Sequence, residues 1–176
     1  ERDLKDKVLV LTSINPGEGK TLIALSLALA WKMTNKKVLV IDGNFTNPSI
    51  SKASTSKIYL EDFLKGQVDL NKNPTGSMDI LSNKGGDTSL LELASFEAIQ
   101  SKLEEMKSIY DLIIIETAAL NDKNQAKEWV LFSKDIVSVF GAGTTINQQM
   151  KNQIAYLKET GAFMGWVINK VNSKGN

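Results

Sequence analysis

The chain has 176 residues, 42% hydrophobic and 23% charged, a composition that suits one globular domain with a sizeable core. It holds neither cysteine nor histidine, so disulfides, Cys/His zinc sites, thiol nucleophiles and imidazole bases are excluded, and any chemistry falls to carboxylates, lysine, hydroxyls and amides. Twenty-one basic against twenty acidic residues leave a net charge of +1 and no global field for nucleic acid; the one arginine, Arg2, stands at the extreme N-terminus, so a phosphate site has to rely on lysine and backbone N–H groups.

In chain order, Val8-Leu9-Val10-Leu11 and Val38-Leu39-Val40-Ile41 are short apolar runs rich in β-branched residues and bounded by turn residues, which predicts fully buried parallel strands. Between them Thr21 to Asn35 repeats Leu22, Leu25, Leu29 and Lys32 on a helical period, with Ala24, Ala28 and Ala30 allowing close approach to a sheet. The three form a right-handed βαβ unit. A looser stretch around Pro48 follows, then an amphipathic segment from Leu60 to Leu64, a polar loop through Pro74 and Gly76, and a strand near Met78 to Leu81. Helical periodicity then runs from Leu90 to Ser108, ahead of the strongest strand of the second half, Tyr110 to Glu116. A helix from Lys123 to Phe132, a strand from Asp135 to Phe140, a helix from Ile146 to Thr160 and a strand from Phe163 to Val171 complete the pattern. Alternation of this kind predicts a doubly wound, mostly parallel α/β sheet with helices on both faces.

The longest apolar stretch, Leu22 to Trp31, is about ten residues, short of the roughly 20 that cross a bilayer. The chain opens on Glu1 and closes on the polar Asn172-Ser173-Lys174-Gly175-Asn176, so residues 1–176 are expected to be a single domain excised from a longer protein.

The first strand leads into Ser13-Ile14-Asn15-Pro16-Gly17-Glu18-Gly19-Lys20-Thr21 and straight on into a helix, the context of a phosphate-binding P-loop. Glycines let backbone N–H groups turn inward around phosphate oxygens, and the helix N-terminus adds its dipole. Lys20 is placed to reach the β- and γ-phosphates, and the Thr21 hydroxyl to ligate Mg²⁺. Pro16, Gly17, Glu18, Gly19, Lys20, Thr21 and Leu22 are therefore the expected nucleotide contacts. The strict motif has glycine where Ile14 stands, which leaves open a plain strand-to-helix turn carrying Gly-Lys-Thr. A metal shell belongs at the C-terminal ends of neighbouring strands, where Asp42 and Glu116 fall; alone, either could be a solvated strand end or a helix cap. The expected metal ligands are Thr21, Asp42 and Glu116, and Lys20 is the expected catalytic residue at the phosphates.

The Pro-Gly-Glu-Gly-Lys core of Ser13 to Thr21, the stretch from Val38 to Ile50 ending in Asn47-Pro48-Ser49, and the closing Ile168-Asn169-Lys170-Val171 together resemble the cytoplasmic domain of bacterial tyrosine kinases, P-loop proteins of the MinD/ParA-like superfamily. Tyr110 to Leu120 and Phe140 to Thr144 fall in the family's order as well. The resemblance implies ATP or ADP with Mg²⁺ as cofactors, autophosphorylation on tyrosine, a place in capsule or exopolysaccharide biosynthesis, and a location on the cytoplasmic side of the plasma membrane. As partners it implies the membrane-spanning co-polymerase portion of the same or another chain, a homo-oligomer, and no nucleic acid. It assigns phosphate to Lys20, phosphate-side metal to Thr21, the adenine surroundings to Asn169, and, through the acidic motif that begins at Asp42, a catalytic role to Asp42 as metal-linked carboxylate and base for the tyrosine hydroxyl.

The chain departs from that pattern at its acidic motifs. The family's Asp-x-Asp-x-Arg reads Asp42-Gly43-Asn44-Phe45-Thr46, the aspartate ending its central strand is Glu116, and the Pro-Pro that often follows is Ala118-Ala119. Asn44 offers a carbonyl oxygen but neither charge nor basicity. Phosphoryl transfer rests on positioning and charge neutralisation, so nucleotide binding can outlast turnover here. Tyr59, Tyr110 and Tyr156 are the only tyrosines, and two of them fall in expected secondary structure, where packing is expected. Partitioning and division-site ATPases carry a lysine where Asn15 stands, iron–sulfur carriers need cysteines, and a dinucleotide fingerprint needs a third glycine at Leu22. Two functions remain: an ATP-dependent protein-tyrosine autokinase with basal ATPase activity, and a nucleotide-binding regulatory module of an export assembly without efficient phosphotransfer.

Overall fold

The computed structural model describes residues 4–70, 78–122 and 124–171. The β-branched runs form strands and the periodic segments helices, in the order β1 (Val8–Ser13), α1 (Lys20–Lys32), β2 (Val38–Gly43), α2 (Ser49–Ala53), α3 (Leu60–Leu64), β3 (Met78–Leu81), α4 (Leu90–Leu93), α5 (Phe96–Ile109), β4 (Leu112–Ala119), α6 (Gln125–Val130), β5 (Asp135–Gly141), α7 (Gln148–Glu159) and β6 (Phe163–Asn169). The strands make one parallel sheet in the order β3-β2-β4-β1-β5-β6.

Strand side chains alternate between two cores, as a period of two requires. Val8, Val10, Leu39, Ile41, Ile113 and Ile115 pack on the face covered by Leu103 and Met106 of α5 and Trp129 of α6. Their sequence neighbours Leu9, Leu11, Val38, Val40, Leu112 and Ile114 face Ala24 and Ala28 of α1. The alanines bring α1 close to the sheet and hold its N-terminus directly above the end of β1. Fully burying a Val, Leu or Ile side chain of these strands contributes about 1.5–3 kcal/mol, so this doubly covered sheet is the rigid frame of the molecule. No described helix is long and apolar enough to cross a membrane.

Three departures from the sequence expectation bear on the site. The periodicity from Leu90 to Ser108 is broken at Ala94 and Ser95 into α4 and α5. Ser89 and Glu92 form a capping box at α4, and the Ser95 hydroxyl accepts from the Ala98 N–H at 3.3 Å to start α5. A short helix, α2, rises after Pro48 where a loose stretch is expected. β4 does not stop at Glu116 but continues through Thr117, Ala118 and Ala119, with Ala119 in register with Ser13. Alanines keep the N–H groups that prolines would lack, so the strand stays in the sheet beside the first loop. The polar loop through Pro74 and Gly76, the first residue of the helix expected from Lys123, and the last five residues lie outside the described residues.

Candidate functional site

β1 lies inside the sheet, between β4 and β5, and the chain leaving its C-terminal end wraps back into α1. Gly17 and Gly19 take φ of 75° and 92°, the left-handed conformations this loop needs. At Gly19 a side chain is excluded twice, since a Cβ there would also run into the Asn169 amide. The Glu18 side chain turns inward rather than toward the cleft. Its Oε2 accepts from the Ile14 and Asn15 N–H groups at 3.1 and 3.0 Å, and its Oε1 from the Gly141 N–H at 3.4 Å. Asn169, at the end of β6, donates its Nδ2–H to the Glu18 carbonyl at 3.0 Å. Glu18 and Asn169 thus brace the loop from behind.

The loop opens on a cavity of about 210 Å³ whose walls include Gly17, Lys20, Thr21, Asn44, Glu116 and Asp122. Lys20 is buried and donates to the Ser13 Oγ at 2.9 Å, and Ser13 in turn donates to the Asn15 carbonyl at 2.7 Å. Burial lowers the Lys20 pKa, against the opposing pull of Glu116, Glu18 and Asp122. Thr21 donates its hydroxyl to Glu116 Oε1 at 2.7 Å. Glu116 is 3% exposed, and its Oε2 has no hydrogen-bond partner among the described residues. Burial first, and the neighbouring Asp42 charge next, push its pKa from 4.5 up to about 7, although Thr21 and Lys20 pull the other way.

An unpartnered, buried carboxylate oxygen beside a threonine hydroxyl fits a hard divalent cation, which prefers oxygen ligands. Among the described residues no three acidic side chains are placed to hold a metal ion by themselves. The arrangement therefore suits a cation shared between one or two protein oxygens and the phosphates of a ligand.

Asp42 is in register with Glu116 across β2 and β4, as their strand positions imply, yet its carboxylate is otherwise employed. It is fully buried; Oδ2 accepts from the Ser51 N–H at 2.8 Å and the Ser51 hydroxyl at 2.7 Å, and Oδ1 from the Asn44 N–H at 3.2 Å. Burial raises its pKa in spite of those bonds. It holds α2 and the Asn44 turn in place and stands behind the cavity wall. Pro16, Gly17, Gly19, Lys20, Thr21 and Glu116 line the cavity; Glu18, Asp42 and Asn169 back it, and the Leu22 side chain points to solvent at 62% exposure.

Asn47, Ser49 and Asp122 line the cavity without having been singled out as site residues in the sequence. Asn47 lies on the bend that follows β2, Asp122 on the turn that follows β4, and Ser49 opens α2; the available signal was only their polarity just beyond the two strands. All three tyrosines pack: Tyr110 is buried and donates to Asp79 Oδ2 at 2.8 Å, while Tyr59 and Tyr156 carry the Lys84 and Lys127 ammonium groups over their rings. A larger cavity of about 410 Å³, between Ser54, Met78 and Tyr110 at the sheet edge, has no phosphate loop on its wall.

Residues 9–176 match the model of the CobQ/CobB/MinD/ParA nucleotide binding domain family. The chain is 30% identical over 179 residues to a tyrosine-protein kinase CpsD of Streptococcus agalactiae, covering 96% of this chain and 77% of that one. Among solved structures it is similar to the VpsO kinase domain, at 27% identity and a TM-score of 0.79, with 95% of this chain and 86% of that one covered. In fold it also matches the chimerical protein CapA2B2, at a TM-score of 0.83 and 23% identity, over 97% of this chain and 79% of that one.

Proposed function

Since the chain belongs to the CobQ/CobB/MinD/ParA nucleotide-binding family and, within it, to the bacterial tyrosine-protein kinases, we propose that it binds ATP with Mg²⁺ and transfers the γ-phosphoryl group to tyrosine as the cytoplasmic domain of a capsular or exopolysaccharide export protein. The observation that carries the proposal is the Thr21–Glu116 pair at the mouth of the phosphate loop, with Glu116 Oε2 buried and left without a partner. Thr21 and Glu116 would hold magnesium on the protein side, where it would supply neutralisation of phosphate charge. The loop N–H groups from Gly17 to Thr21 would bind phosphate oxygens, and Lys20 would exchange its bond to Ser13 for the β- and γ-phosphates. ADP remains after transfer. A membrane-spanning co-polymerase segment, on the same or a partner chain, is the attachment implied by this role, and a homo-oligomer its assembly.

A second reading has its own support. With Asp42 committed to Ser51 and Asn44 uncharged, the cleft lacks the paired aspartates of an Asp-x-Asp motif, which favours a nucleotide-binding regulatory module that switches an export assembly without efficient transfer. Calorimetric titration of ATP·Mg²⁺ tests the binding that both readings share: the wild type binds and Lys20→Ala loses binding, and equal affinity in the two would refute the site. Labelled ATP separates the readings. Label on tyrosine that vanishes in Lys20→Ala supports the kinase, while tight binding without transfer supports the module.

A further inference from the structure

Three carboxylates surround the phosphate end of this cleft, and two are already occupied. Asp42 is fully buried, accepts three hydrogen bonds and is not among the residues that line the cavity, so an acceptor in the cleft does not meet it. Glu116 is buried against Thr21, where its free oxygen faces cation chemistry rather than an incoming hydroxyl. Asp122 differs from both. It lines the same cavity as Lys20 and Glu116 and is exposed, and its carboxylate accepts no hydrogen bond or ion pair from a described residue.

Its backbone is nevertheless well fixed. Beyond the end of β4, Leu120 donates to the Ser13 carbonyl at 2.9 Å, Asn121 to the Ile14 carbonyl at 3.0 Å, and Asp122 to the Ala119 carbonyl at 3.0 Å. The Asn121 side chain adds a bond from Nδ2 to Asn15 Oδ1 at 3.0 Å. The turn that carries Asp122 is therefore sewn to the first residues of the phosphate loop, so this residue of the cavity wall stands on a well-fixed base. Its charge reaches Lys20, whose ammonium it favours.

We propose that Asp122 is the general base of phosphoryl transfer in this protein, a free carboxylate held over the phosphate cavity by a turn hydrogen-bonded to the phosphate loop. The inference rests on the kinase reading and names the residue that reading lacks. As the acceptor oxygen, of a tyrosine hydroxyl or of water in the basal reaction, forms its bond to the γ-phosphorus, the acceptor O–H gives its proton to the Asp122 carboxylate. The bond from the γ-phosphorus to the bridging oxygen breaks, and its electron pair leaves with ADP. The protonated Asp122, open to solvent, then returns the proton to water. General bases contribute on the order of 10²–10⁴ in rate, which sets the scale of the loss on removing one.

The test measures, in one protein series, ATP·Mg²⁺ affinity by calorimetry and the turnover of phosphate to water and to a tyrosine-containing peptide. Asp122→Asn is expected to lower kcat by about 100-fold or more with the nucleotide Kd changed by less than about threefold, and Asp122→Glu to keep a larger share of the rate. Asn44→Asp placed in the Asp122→Asn background is expected to restore at least about tenfold, because position 44 lines the same cavity and an aspartate there keeps the bond that Asn44 Oδ1 accepts from the Asn47 N–H. Wild-type turnover with an equally active Asp122→Asn overturns the inference and leaves the kinase reading standing. Loss of affinity in step with kcat, or no rescue by Asn44→Asp, overturns it in favour of a role in the turn. A wild type that binds ATP·Mg²⁺ but transfers to neither acceptor refutes the kinase reading itself, and with it the base.

Discussion

Replacing Glu116 by Gln is expected to change how the stability of the ligand-free protein depends on pH. In the folded chain Glu116 releases its proton at about 7, against 4.5 for an ordinary glutamate, and burial is the main cause. Below pH 4.5 the residue is protonated in both folded and unfolded chains and contributes nothing to the difference. Between 4.5 and 7 the unfolded chain ionises first, so wild-type stability falls as the pH rises; above 7 the full penalty is in place. At about 1.36 kcal/mol per unit, that gap corresponds to roughly 3 kcal/mol. Glutamine is neutral at every pH and escapes the penalty. The Gln amide adds a buried donor where Glu116 Oε2 now lacks a partner, at a cost of about 1–3 kcal/mol. That cost does not vary with pH and cancels when the two curves are compared for shape. Urea unfolding with a chelator and without nucleotide, from pH 4.5 to 8.5, is the assay. The wild type should lose roughly 3 kcal/mol relative to Glu116→Gln across that range, most of it before pH 7.5. Parallel curves would refute the claim that Glu116 is held in a site that disfavours its charge.

Three further outcomes follow from the same geometry. Asn44→Asp should make ATP affinity more dependent on Mg²⁺, because a charged oxygen joins a cavity wall that has a neutral one, and identical calorimetric titrations with and without Mg²⁺ for the two proteins would count against this. Glu18→Ala should lower stability by roughly 2 kcal/mol and weaken nucleotide binding although the side chain never faces the cavity, since the Ile14 and Asn15 N–H groups lose their acceptor; denaturant midpoints read the first effect and titration the second. Gly19→Ala should abolish nucleotide binding more completely than Gly17→Ala, because both positions have positive φ but only at Gly19 does a Cβ meet the Asn169 amide, and comparable affinities for the two variants would contradict it.

The parallel sheet was legible in the sequence because its strands are short, β-branched and buried on both faces, and the phosphate loop because Gly17 to Thr21 sits between such a strand and an amphipathic helix. The adjacency of Asp42 and Glu116 followed from their places at the ends of strands that pair in register. What each carboxylate does did not follow. Asp42 turns to Ser51 because a five-residue helix forms after Pro48, too short to leave a periodic signature. Asp122 reaches the cavity through bonds from Leu120 and Asn121 to residues about a hundred positions earlier in the chain, and a pattern read in windows of 11–18 residues does not register contacts of that span. The inward turn of Glu18 is hidden for the same reason, since one of its acceptor bonds comes from Gly141.

The hydrogen bond from Asn169 to the Glu18 carbonyl spans 151 residues and joins the last strand to the first loop. Its consequence is one of timing. The phosphate loop is encoded near the start of the chain but receives this brace only when β6 has closed the far edge of the sheet, so a growing polypeptide is expected to acquire its full nucleotide affinity late in folding. Nucleotide then acts as a clasp on the whole sheet: what binds the loop also opposes fraying of β6. A fragment ending at Thr160, before β6, should bind ATP far more weakly than the full chain, and equal affinity would show that the loop matures without its last strand.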